Sequence, residues 1–212
     1  MNFDHRPDRR LLTGTGGSGK TTEFLRLLKA HRARWKFVFD PEREVSHKLG
    51  WSVACDMEAL AGHAARREPV CFDPSELTET MEEGFDLFCR FVWHFSQGER
   101  GPKLMASDEV QDFTMPGNGG IPPSLKRILQ KGRRQEIDVL LIAQSLGELH
   151  DRVRGQLSHI VTFRHEDALA LDWLKRNGFN PEAVKALAYP GGWICRNRYT
   201  GEVTANGRKT KR

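Results

Sequence analysis

The stretch Gly14-Thr15-Gly16-Gly17-Ser18-Gly19-Lys20-Thr21 satisfies every fixed position of the pattern G-x-x-x-x-G-K-[ST]. Its spacing has a chemical reason. Glycines let successive backbone N–H groups curl round a polyphosphate, and the helix that follows adds the positive end of its dipole. Lys20 would reach the β- and γ-phosphates as a point charge, while the Thr21 hydroxyl would ligate Mg2+ together with phosphate and water oxygens. Thr22 completes the loop on the helix side. A chance match in a chain of this length has a probability on the order of one in a hundred, before a strand in front and a helix behind are required. ATP and Mg2+ are therefore the expected ligands, held by Gly14 to Thr22.

A second set of polar residues stands at the ends of short apolar runs. Asp108 follows Leu104-Met105-Ala106-Ser107, where a carboxylate can hold magnesium-bound water beside the phosphates. Glu109, the next residue, is a candidate general base for the attacking water; the plainer reading is an adjacent surface acid. Gln144 directly follows Leu140-Leu141-Ile142-Ala143. In a parallel sheet its amide would sit beside Asp108, sensing the γ-phosphate or orienting water, against the plainer reading of a polar residue that ends a strand. Arg133 and Arg134 precede that strand, so one of them is a candidate arginine finger for a neighbouring subunit's nucleotide, the alternative being solvated charge at a helix end. Lys126, Arg127 and Lys131 are candidates to meet phosphates, the alternative being a solvated basic helix, and the Gly- and Pro-rich stretch Phe113 to Pro123 reads as a loop.

Strands and helices must position these groups. Leu11-Leu12-Thr13 reads as a first strand, and Thr21 to Arg34 as a helix with Phe24, Leu25, Leu27 and Leu28 on its buried face. Trp35 to Asp40 is a second strand stopped by Pro41, Met57 to Arg67 a helix, and Val70-Cys71-Phe72 another extended piece. Asp73 is the expected N-cap of the next helix, with Pro74 in its first turn and Glu76 completing a capping box. Leu77, Met81, Phe85, Phe88, Val92 and Phe95 then form its apolar stripe. Lys103 to Ser107, Ile137 to Ala143 and His159 to Phe163 read as further strands, with Ser124 to Gln135 helical between the first two. A helix runs to Asn177-Gly178, another spans Pro181 to Leu187 behind Asn180 as cap, and Trp193 to Val203 is a hairpin around Thr200-Gly201. This alternation predicts an α/β fold with a mainly parallel sheet.

Composition bounds the remaining classes. The 212 residues, 38% hydrophobic and 29% charged, suit one globular domain over 1–205 with a basic tail at 206–212. The longest apolar run, Val139 to Ala143, is far below the ~20 residues that cross a bilayer, so no membrane insertion by this chain is expected. Met1 to Arg6 mixes charges without an apolar stretch, which predicts a cytoplasmic location, the host cytoplasm if the protein is viral. Cys55, Cys71, Cys89 and Cys195 form no Cys-x-x-Cys pair, so structural zinc and a disulfide framework are not expected. The net charge of +5 and the terminal Gly207-Arg208-Lys209-Thr210-Lys211-Arg212 suit phosphate contacts, or equally a solvated end.

The order of parts resembles the FtsK–HerA group of DNA-pumping ATPases, and more closely the genome-packaging ATPases of membrane-containing icosahedral viruses. Gly14 to Thr22, Phe37-Val38-Phe39-Asp40-Pro41, Leu104 to Glu109 and Gly132 to Gln144 carry the resemblance. His159 to Arg164 and Gly191 to Val203 support it. The resemblance implies a RecA-like core with the Glu and sensor strands by the phosphate loop, a homo-oligomeric ring, hexamer or pentamer, and double-stranded DNA threaded through it. It further implies that capsid or vertex proteins dock the ring, and that Arg133 is the better finger candidate.

Two other classes use such a loop. A small-molecule phosphotransferase would want an Arg-rich lid and an acceptor pocket, and no such lid is identified in the sequence. A nucleotide-dependent phage assembly protein would usually bring a membrane anchor.

Overall fold

The computed structural model describes residues 7–114, 120–206 and 208–209. Its strands are β1 (Arg9–Thr13), β2 (Trp35–Phe39), β3 (Ser52–Ala54), β4 (Val70–Phe72), β5 (Lys103–Ser107), β6 (Ile137–Ala143), β7 (His159–Thr162), β8 (Ile194–Asn197), β9 (Val203–Ala205) and β10 (Arg208–Lys209). They form one 10-stranded sheet in the order β10-β9-β8-β7-β1-β6-β5-β2-β4-β3. From β7 to β3 every neighbouring pair is parallel. The antiparallel β8, β9 and β10 extend the β7 edge.

The helices are α1 (Lys20–Ala30), α2 (Glu44–Leu49), α3 (Met57–Arg66), α4 (Met81–Gly98), α5 (Pro123–Lys131), α6 (Asp151–Gln156), α7 (Ala168–Arg176) and α8 (Pro181–Lys185). They cover both faces of the sheet, as parallel strands require, because both sides of each central strand must be buried. Alternate strand residues serve the two layers. Leu11, Phe37, Phe39 and Met105 pack with α3, α4, α5, α6 and α7. Leu12, Val38, Leu104 and Ala106 pack with Phe24 and Leu28 of α1 and Val45 of α2. Every residue of β6 is buried, and among the described residues no helix is long and apolar enough to cross a membrane.

Aromatic packing ties the core to the end of β5. Phe39 of β2 and Phe85 of α4 lie 5.1 Å apart at their ring centroids. Phe113 closes on Phe39 at 5.1 Å and on Phe85 at 4.9 Å. Because Phe113 ends a short 3-10 turn, Val110–Phe113, its docking and the full burial of Val110 anchor the chain just beyond Asp108 and Glu109.

Several sequence expectations need correction. The helix expected to begin behind Asp73 begins at Met81, with the Thr80 hydroxyl accepting the Glu83 N–H at 3.2 Å. Asp73 is occupied otherwise: one carboxylate oxygen accepts the Ser75 N–H at 3.0 Å and the other the Arg43 Nε at 2.7 Å. Residues 74–78 make a separate turn instead, and Pro74 folds so closely onto α4 that a Cβ at Gly84 would meet its ring at 2.4 Å. Leu77, assigned to the apolar stripe, is therefore 42% exposed. The helix expected over Ser124 to Gln135 is α5 followed by a 3-10 turn, Gly132–Gln135. The short elements α2, β3 and α6 were not anticipated. Of the basic tail, Arg208 and Lys209 form β10, and residues 207 and 210–212 lie outside the described residues, as do residues 115–119 of the Phe113 to Pro123 loop.

Candidate nucleotide site

Of the polar residues flagged in the sequence, the phosphate-loop residues, Asp108, Glu109 and Gln144 collect at one end of the strands. Parallel pairing sets Thr13 opposite Ala143 and Leu141 opposite Ser107. The residues that follow, Gly14, Gln144 and Asp108, thus emerge together at the carboxyl ends of the strands, where open α/β sheets bind ligands.

The phosphate loop leaves β1 and turns into α1 through two left-handed glycines, Gly17 at φ 68° and Gly19 at φ 101°. A side chain has no space at Gly14, where a Cβ would meet Phe163 Cβ at 2.6 Å. The buried Lys20 curls back, and its Nζ donates to the carbonyls of Gly14 and Thr15, both at 2.9 Å. Burial lowers the Lys20 pKa while the negative charge of Asp108 and Glu109 opposes that fall. Ser18 Oγ is buried inside the loop without a hydrogen-bond partner. A polyphosphate fits this set: its oxygens could take over the lysine's donors and satisfy the orphaned hydroxyl. The hydroxyl of Thr21 and the carboxylate of Asp108 are hard oxygen donors suited to Mg2+.

At the end of β5, Asp108 accepts the Glu109 N–H at 2.8 Å. Burial raises its carboxyl pKa to about 6, Glu109 and Glu44 add to the rise, and the Glu109 N–H and Lys20 oppose it. Glu109 sits in the left-handed region at φ 46°, a conformation that costs a non-glycine residue roughly 1 kcal/mol or more. The anchors Val110 and Phe113 hold it there. Gln144, expected beside Asp108, bonds the next residue, Glu109: its Nε2 donates to Glu109 Oε1 at 2.6 Å. The amide therefore aims the carboxylate and leaves the second oxygen for another donor.

Arg133 and Arg134 are not brought to this edge. They lie in the 3-10 turn before β6, on the exposed surface. At about 3.3 Å per residue the length of β6 separates them from Gln144 by roughly 20 Å, so neither reaches the phosphate loop of its own chain. Arg127 and Lys131 are exposed on α5, and Lys126 is half-buried.

Sequence reading missed two neighbours of the loop. His165, 2% exposed, follows β7 and places Nε2 3.1 Å from Thr13 Oγ1. Burial, then the nearby Lys20 charge, lower its pKa to about 4, with Asp167 opposing. Its signal was the one used for Gln144, a polar residue just beyond a buried parallel strand. Tyr189, whose hydroxyl donates to the Gly16 carbonyl at 2.9 Å, lies in no motif and far along the chain.

No protein-family model and no curated protein sequence matches the chain. Solved structures do. The genome packaging NTPase B204 from Sulfolobus turreted icosahedral virus 2 in complex with AMPPCP superposes with a TM-score of 0.74 at 18% identity, covering 97% of this chain and 98% of that one. B204, the DNA-packaging ATPase from Sulfolobus Turreted Icosahedral Virus, gives 0.73 at 17% identity over 97% and 100% of the two chains. EssC ATPases 2 and 3 from Geobacillus thermodenitrificans give 0.56 at 13% identity, covering 90% of this chain and 37% of that one.

His165 makes an activity-independent prediction. Between pH 6.5 and about 4 the unfolded chain takes up a proton that the folded histidine refuses, so stability is lost as the pH falls through that window. Urea unfolding of His165→Gln should show the acid-dependent loss reduced by roughly 3 kcal/mol at pH 4 relative to pH 7. The chain thus has the fold of the B204 structures, a mainly parallel sheet covered by helices on both faces.

Proposed function

We propose that this chain is the subunit of a Mg2+-dependent ATPase that forms a homo-oligomeric ring and translocates double-stranded DNA, as a viral genome-packaging motor. The observation that carries the hydrolytic part is the Glu109 carboxylate, gripped by Gln144 at 2.6 Å and one strand removed from the phosphate loop. A carboxylate so held is suited to accept a proton from water, whereas a phosphotransferase needs room for a small acceptor. DNA as the partner is supported by the fold shared with proteins described as packaging NTPases, and by the exposed basic residues Arg127 and Lys131. A role in the host cytoplasm, docked on capsid or vertex proteins, goes with this reading.

In the reaction, Lys20 would exchange the Gly14 and Thr15 carbonyls for β- and γ-phosphate oxygens, neutralising charge as the bond to the leaving diphosphate breaks. Thr21 and Asp108 are the residues to hold Mg2+, whose chemistry is to offset phosphate charge. Ionised Asp108 is needed for this, and its raised pKa is pulled down again by a bound cation. Glu109 takes the proton of the attacking water, and Gln144 keeps its carboxylate aimed. Arg133 serves the nucleotide of the adjacent copy, because its position at the far end of β6 denies it its own.

Glu109→Gln is expected to leave ATP affinity within a few-fold while slowing single-turnover hydrolysis by roughly 10²–10⁴-fold; undiminished turnover would remove Glu109 from its role. Arg133→Ala and Lys20→Ala should each be inactive alone and regain part of the activity when mixed, since hybrid interfaces pair an intact finger with an intact loop. Absence of rescue at every mixing ratio would argue against action between subunits.

A further inference from the structure

The sheet order divides the phosphate loop into two sides. Asp108, Glu109 and Gln144 stand on β5 and β6, to one side of β1. If the terminal phosphate lies toward them, the nucleoside leaves the loop on the other side, over β7 and the segments beyond it. That side is formed by two pieces of chain. The exit of β7 is tied to the loop by the N–H of Thr15, which donates to the Arg164 carbonyl at 3.0 Å. The segment before β8 is tied by the N–H of Gly191, which donates to the Ser18 carbonyl at 2.9 Å, and by the Tyr189 hydroxyl on Gly16.

The approach is too close for side chains. A Cβ on Gly17 would meet the Tyr189 hydroxyl at 2.6 Å, and one on Gly19 would meet the Gly191 nitrogen at 3.2 Å. Yet the Tyr189 residue remains 54% exposed. Among the described residues the other exposed large hydrophobics are Leu77, Leu169 and Tyr199. Leu77 belongs to the turn before α4 and Leu169 to α7, while Tyr199 lies in the turn between β8 and β9. Tyr189 is the one of the four hydrogen-bonded to the phosphate loop. An aromatic ring anchored at its tip and open to solvent beside a polyphosphate cradle is a platform for a flat, hydrophobic ring.

We infer that Tyr189 is the base-binding residue of this site, stacking on the purine of the bound nucleoside triphosphate, with residues 189–191 acting as a clamp that fixes the platform to the loop. This rests on the nucleotide-binding reading above and adds the part of the ligand that the phosphate loop itself does not recognise. Stacking reads the face of a base and not its edge, so the clamp favours purines over pyrimidines without strong choice between adenine and guanine.

The test compares two ligands on the full chain, ATP and inorganic tripolyphosphate, by calorimetric titration with Mg2+. Tyr189→Ala should raise the Kd for ATP about tenfold and leave that for tripolyphosphate within twofold, which also reports that the variant is folded. Tyr189→Trp should retain ATP affinity, because it restores an aromatic face. Equal losses on both ligands would overturn the inference by making Tyr189 a brace for the loop, and unchanged ATP affinity in Tyr189→Ala would overturn it by denying any contact with the base. Wild-type protein that binds neither ligand would instead overturn the nucleotide reading itself, and the clamp with it.

Discussion

Two rows of backbone hydrogen bonds seat β6 between β1 and β5, and they decide what the phosphate loop can face. A slip of one residue would reverse every side chain of the strand. Burial on both faces resists that slip, and so does a specific bond at the strand's beginning, where the Asp138 carboxylate accepts the Asp8 N–H at 2.7 Å. With the register held, Gln144 emerges level with Gly14, and the carboxylate pair at the end of β5 lies one strand farther out. The left-handed turn at Glu109 then brings its carboxylate back within reach of Gln144. The backbone ladder sets the coarse spacing, and the Phe113 anchor sets the final approach.

That arrangement gathers ionisable groups where water is scarce. Lys20, Asp108 and His165 each have pKa values moved toward the neutral form by burial. Shifts of this kind accompany functional sites and buried structural networks alike. The lysine's charge is met by the carbonyls of its own loop.

Much of this was legible in the sequence because the signals were local. β5 and β6 are bounded as expected, since short apolar runs between polar residues specify buried strands. The phosphate loop announced itself by spacing. The start of α4 did not, because Asp73 and Thr80 both offer caps, and only the tertiary contacts of Asp73 with Arg43 and of Pro74 with Gly84 decide between them. Gln144 was assigned to the edge where it stands, but its bond to Glu109 was not foreseen, since the backbone angle at Glu109 cannot be read from a Glu. Tyr189 stayed hidden for a different reason: it joins the loop across 173 residues of sequence by a single hydroxyl bond, and no spacing rule reaches that far.

The central claim, that hydrolysis at this site is coupled to duplex DNA, is tested most directly by steady-state ATP hydrolysis with Mg2+, with and without duplex, across a range of salt concentrations. Duplex is expected to accelerate turnover, and the acceleration to fade as salt weakens contacts with the phosphate backbone. Turnover indifferent to duplex at every salt concentration, or turnover that appears only with a small phosphate acceptor, would contradict it.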